Sequence, residues 1–215
     1  MPKIAVLIVL IFVPFFDCKS QSILLHPDNK AFSTPAPPVF KVLLETTKGD
    51  ITLEVTREWS PNGVDRFYNL VRNGFYDNTA VFRVRSGTWA QFGIAGDPKV
   101  AQAWRNKTIP DDPRRESNTR GMVTYAFKDS SGRTTQVFIN LRDNRLPLDT
   151  QLFVPFAKVI KGMDIADALY AQYGENSGGG IRAGKQDSLF IGGNNYLKRN
   201  FPLLDYIKRA RIIAN

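Results

Sequence analysis

At 215 residues the chain is long enough for one domain with a sizeable core, and its 43% hydrophobic and 23% charged residues suit an ordinary soluble fold. A single histidine, His26, and a single cysteine, Cys18, both lie ahead of the expected domain, which excludes Ser-His and Cys-His hydrolases, disulfide frameworks and histidine or cysteine zinc sites. The formal charge of +9 is scattered and no nucleic-acid motif accompanies it, so a solvated basic surface is expected rather than a specific nucleic-acid interface; attraction to acidic partners stays open.

In chain order, Lys3 precedes an apolar run over residues 4–16, too short to span a bilayer and suited to a secretory signal peptide at residues 1–20. Its cleavage removes Cys18 and sends a chain without stable membrane association to a lumenal, extracellular or periplasmic destination. Residues 21–38, ending in Pro35-Ala36-Pro37-Pro38, read as a flexible Pro-rich linker before a domain at 39–215. The domain opens with strands at 39–46 and 51–55 around Lys48-Gly49-Asp50; Ile51, Leu53 and Val55 alternate as in a hairpin. Ser60-Pro61 supplies an N-cap and a first-turn proline to a helix with Val64, Phe67, Leu70 and Val71 on one face, ended by Asn73-Gly74.

Residues 81–98, VFRVRSGTWAQFGIAGDP, carry two polar side chains in an apolar setting. Period-2 alternation puts Arg83 on the face opposite Phe82 and Val84, Gly87 breaks the run, and a second segment brings Gln91 back towards Arg83. A long polar stretch over 99–120 follows, then strands at 122–127 and 135–140. Asp164 is read as the cap of a second helix bearing Ile165, Ala168 and Leu169, residues 174–184 as a flexible glycine-rich stretch, 196–201 as a turn and 206–213 as a closing strand. Many short strands around two isolated helices argue for a closed antiparallel barrel.

The 81–98 stretch resembles the cyclophilin signature F-H-R-V-x-x-G-F-x-x-Q-G-G-D through Arg83, Val84, Gly87, Gln91, Gly93 and Gly96-Asp97. The helix and Gly74-Phe75-Tyr76-Asp77 match the opening pattern N-F-x-x-L-x-x-x-G-F-Y-D, and the resemblance covers about residues 40–173. It implies a mainly β fold, a closed eight-stranded antiparallel barrel capped by two helices, and peptidyl-prolyl cis-trans isomerase activity without metal or cofactor. Such activity needs no nucleophile or metal, which suits a domain without histidine or cysteine to offer. The peptide bond resists rotation by about 18–20 kcal/mol because nitrogen shares its lone pair, and a guanidinium aimed at that nitrogen stabilises the twisted amide over the planar one.

The resemblance further implies that Arg83 is the catalytic arginine, that Gln91 orients it and contacts substrate backbone, and that Phe138 floors and Leu148 walls a proline pocket. It assigns backbone pairing with an extended peptide to Ala126 and Phe127, and a polar groove position to Gln136. Trp89 is the ring expected to turn into the pocket, because Thr88 stands where a phenylalanine is usual; Phe153 falls near a usual pocket histidine. These departures point to modest turnover, with a non-catalytic binder of proline-containing peptides as the rival. Expected partners are proline-containing peptides or unfolded secretory proteins, met by a monomer.

Overall fold

The computed structural model describes residues 23–179 and 186–214; the expected signal peptide and part of the glycine-rich stretch lie outside the described residues. Nine strands form one antiparallel sheet: β1 (Val39–Thr46), β2 (Asp50–Thr56), β3 (Thr79–Ala80), β4 (Arg83–Arg85), β5 (Trp89–Phe92), β6 (Met122–Tyr125), β7 (Val137–Asn140), β8 (Pro155–Lys161) and β9 (Tyr206–Ile213). Their spatial order is β3-β9-β1-β2-β8-β6-β7-β5-β4. The strand count exceeds the expected eight because one strand is interrupted. β3 pairs with β9 and β4 pairs with β5, so the two ends of the sheet are joined through Val81 and Phe82 and the sheet approximates a barrel. Every second residue of β1 and β2, including Val42, Leu44, Ile51, Leu53 and Val55, faces a dry interior completed by Phe156, Val123 and Ile139.

Helix α1 (Pro61–Arg72) buries Val64, Phe67, Leu70 and Val71 against that interior, the face its spacing predicts. Its N-cap differs from expectation. Ser60 makes no capping bond of its own; its hydroxyl donates to Asp112 Oδ2 at 2.6 Å, and Asp112 accepts the Asn62 and Gly63 amides at 3.1 and 3.0 Å. A carboxylate fifty residues downstream thus satisfies the free N–H groups of the first turn and favours the positive end of the helix dipole. Arg133, 1% exposed, neutralises it through Nη1 at 3.1 Å.

Among the described residues, besides short helical turns such as Arg145–Leu148, three further helices are α2 (Pro98–Trp104), α3 (Met163–Asp167) and α4 (Asp187–Asn200). The sequence reading treats α2 as polar loop, assigns nothing to most of α4 and reads its end as a turn over 196–201, and it places Asp164 as a cap, whereas Gly162 occupies that position and Asp164 lies in the first turn of α3. α4 escapes detection because Gly193, at φ 50 and ψ −146, breaks its helical path.

Residues 23–38, expected to be a flexible linker, lie on the domain. The Trp104 indole N–H donates to the Leu24 carbonyl at 2.7 Å, and Phe32 packs edge-on against the same ring at 4.7 Å. The Ala36 amide reaches Asp65 Oδ1, which also receives Arg57 Nε at 2.7 Å. Buried apolar contact and satisfied backbone groups, absent from any local sequence pattern, hold the segment in place.

Candidate active site

The register of three neighbouring strands builds the site. Arg83 on β4 lies opposite Gln91 on β5, and Gln91 lies opposite Phe138 on β7, so the three side chains form one rung across the sheet. The next rung on the same face is Arg85, Trp89 and Asn140. Val84, Ala90 and Ile139 alternate with them into the core. A groove of about 930 Å³ opens over the outward face, and all eight residues singled out in the sequence line it: Arg83, Trp89, Gln91, Ala126, Phe127, Gln136, Phe138 and Leu148. Gly93, with φ 106, lets β5 approach closely at the groove base, since a Cβ there would lie 2.4 Å from the Thr135 carbonyl oxygen.

The polar half of the groove is a relay of hydrogen bonds. Arg83 Nη1 donates to Gln91 Oε1 at 2.8 Å, Gln91 Nε2 to Gln136 Oε1 at 2.9 Å, and Gln136 Nε2 to Gln186 Oε1 at 2.8 Å. Arg83 and Gln91 are almost wholly buried, so the bond between them forms in a region of weak screening. On its other edge Arg83 donates through Nε at 3.0 Å and Nη2 at 2.7 Å to Glu175 Oε1. The segment carrying Glu175 seats directly on the arginine stem: a Cβ at Gly178 would lie 2.9 Å from Arg83 Cβ, and the Ser177 hydroxyl donates to the Phe82 carbonyl.

The apolar half is a row of rings. Trp89 and Phe138 stand 6.2 Å apart, Phe153 meets Phe138 edge-on at 5.9 Å, and Phe127 stacks on Phe153 at 4.3 Å. Thr88 is buried in the turn beneath, its carbonyl accepting the Leu141 backbone N–H and the Asn144 side-chain Nδ2, and does not line the groove. The backbone behind Phe153 is fixed by Asn118, which donates to the Phe153 carbonyl at 2.7 Å and to Asp149 Oδ1 at 2.8 Å. Burial pushes the Asp149 carboxyl up, but the donors on Asn118 and Ser117, with Arg114 nearby, outweigh it and hold the group below the usual carboxylate range. At the groove edge the Ala126 N–H bonds the Gln136 carbonyl at 2.9 Å, while no hydrogen bond engages the Phe127 N–H among the described residues.

Glu175, Gln186 and Asn118 are the site residues that sequence reasoning missed. Glu175 sits in a glycine-rich stretch 92 positions after Arg83, where no spacing rule links the two. Phe153, read as the loss of a pocket histidine, proves to be the ring that joins Phe138 to Phe127. Among the described residues no group of three or more metal-ligating side chains gathers anywhere.

This arrangement of arginine, glutamine and aromatic row agrees with comparison to known proteins. The family model described as cyclophilin type peptidyl-prolyl cis-trans isomerase/CLD matches residues 41–182. The chain belongs to the cyclophilin-type family. It is 31% identical over 141 residues to peptidyl-prolyl cis-trans isomerase A of Dickeya dadantii, covering 64% of this chain and 74% of the relative. It is likewise 31% identical over 136 residues to peptidyl-prolyl cis-trans isomerase B of Escherichia coli, with 60% and 82% covered. A crystal structure of a Cryptosporidium parvum cyclophilin type isomerase superposes with a TM-score of 0.58 at 20% identity over 82% of this chain and 99% of that one, which establishes the shared fold. The same parasite protein has been crystallised in the presence of the dipeptide Ala-Pro, a structure that superposes with a TM-score of 0.55.

Proposed function

We propose that this cyclophilin catalyses cis-trans isomerisation of Xaa-Pro bonds in the groove over β4, β5 and β7, with Arg83 as the donor to the twisted amide. The observation that carries the reading is the single rung of Arg83, Gln91 and Phe138. A prolyl ring held among Phe138, Phe153 and Leu148 places its nitrogen beside the guanidinium. The hydrogens that Arg83 does not give to Gln91 and Glu175, one on each Nη, are free to meet that nitrogen as its lone pair localises. Gln91 keeps the guanidinium plane fixed, so little reorganisation accompanies the twist. Each tenfold gain in rate requires about 1.4 kcal/mol of preference for the twisted form, and one or two charge-assisted bonds supply that scale. The Phe127 N–H, which no hydrogen bond engages among the described residues, offers the substrate backbone a strand-like partner.

The residues at 1–20 fit a secretory leader, and the domain then serves as a monomer acting on proline-containing segments of unfolded secretory proteins. An exchange assay on Xaa-Pro peptides, with the chain from Gln21 onward, tests the catalytic reading. Arg83→Ala, folded to the same degree by circular dichroism, is expected to lose at least tenfold in kcat/KM. No acceleration by folded wild-type protein, with peptide still bound, would sink the enzyme reading and leave a binding module.

A further inference from the structure

Among the described residues the groove lining holds five cationic side chains, Arg83, Arg85, Arg105, Lys128 and Arg142, and no aspartate or glutamate. Two of the five are already neutralised. Arg83 pairs with Glu175 behind the rung, and Arg105 pairs with Asp187 while its guanidinium lies 4.6 Å from the Phe190 ring centroid. The other three are exposed, and among the described residues none has a carboxylate partner. Arg85 rests on the indole of Trp89 at 5.6 Å from its centroid, on the same ring that Arg83 approaches at 5.5 Å. Arg142, two residues beyond the rung member Asn140, is held by a bond from Nε to Asn144 Oδ1 at 3.0 Å. Lys128 stands at the opposite end, just past the Ala126–Phe127 edge.

We infer that the groove selects acidic substrates: peptides with aspartate or glutamate within two residues of the proline. This rests on the isomerase reading of the same groove and adds a substrate class to it. The spacing fits. Arg85 is two residues along β4 from Arg83, about 7 Å, and two residues of extended peptide cover about the same distance. A carboxylate there meets a guanidinium already aligned against an aromatic face and therefore loses less orientational freedom on binding. Among the described residues no acidic side chain in the lining repels it. Neutral peptides still reach the ring row but leave Arg85, Arg142 and Lys128 to water.

The test compares Ala-Pro peptides carrying glutamate at each position from two before to two after the proline with their glutamine counterparts, in wild-type protein and in the Arg85→Gln/Arg142→Gln double variant. Both kcat/KM and Kd are measured, at low salt and at about 0.5 M salt. The expected result is a preference for at least one glutamate peptide of about fivefold or more at low salt, the scale of one or two exposed ion pairs, shrinking with salt and falling towards one in the double variant. Equal kcat/KM and equal Kd for the glutamate and glutamine peptides would overturn the proposal. So would equally tight binding of a glutamate-rich peptide without proline, or of a short single-stranded DNA, which would mark a general polyanion surface. If no peptide is turned over, the isomerase reading fails separately, and the Kd values alone decide the acidic preference.

Discussion

At the scale of single residues, Arg83 is held from both sides, and the two partners are not equivalent. Gln91 accepts one Nη1 hydrogen from within the same rung, whereas Glu175 accepts from Nε and Nη2 and arrives from a distant glycine-rich segment. A guanidinium with one partner can rotate about its last bonds; with two on different edges it cannot. Glu175→Ala is therefore expected to lower kcat about fivefold, with KM little changed, while Glu175→Gln, which still accepts a hydrogen bond, restores part of the loss. Steady-state exchange kinetics on one Ala-Pro peptide separate the two constants. An unchanged kcat in Glu175→Ala would mean that Gln91 alone fixes the donor.

At the scale of elements, helix α1 depends on a carboxylate outside itself. Asp112→Ala removes the acceptor of two first-turn amides and of the Ser60 hydroxyl, and leaves buried Arg133 with the longer 3.3 Å pairing to Asp111 as its one ion pair among the described residues, beside its bonds to the Pro110 carbonyl and Ser60 hydroxyl. Breaking a buried pair in this way costs about 3 kcal/mol or more, and the midpoint of thermal unfolding is expected to fall by about 10 °C. A shift under about 2 °C would show that Ser60 caps the helix unaided. The same contrast explains what the chain discloses locally. α1, the β1–β2 hairpin and β9 were legible because their apolar spacing and turn residues lie within the element. α4 was not, because Gly192 and Gly193 interrupt its periodicity, and α2 was passed over as polar loop although Asp97-Pro98 supplies its cap and first-turn proline. In the groove, Arg83, Gln91 and Phe138 were legible as a motif, whereas Glu175 and Asn118 act through tertiary contacts that no local pattern records.

For the molecule as a whole, acid is the condition that loosens it. In Asp65, burial raises the carboxyl, but the Arg57 bond and the Ala36 amide outweigh it and the group stays below its ordinary value; Asp149 does the same beside the pocket. A depressed folded value contributes stability that is fully present above the unfolded value, about 3.9, and is lost as pH falls through the folded one. Urea unfolding midpoints should accordingly be level from about pH 7 to 5 and fall below about pH 4. A decline already between pH 7 and 6 would assign the dependence to other groups. The sheet order also ties folding to biosynthesis. β9 inserts between β1 and β3, yet it is the last of the nine strands to leave the ribosome. Until Tyr206–Ile213 emerge, a nascent chain shows two bare strand edges, one of them the apolar eight-residue β1, so the interval before β9 emerges is when it most needs shielding by a chaperone.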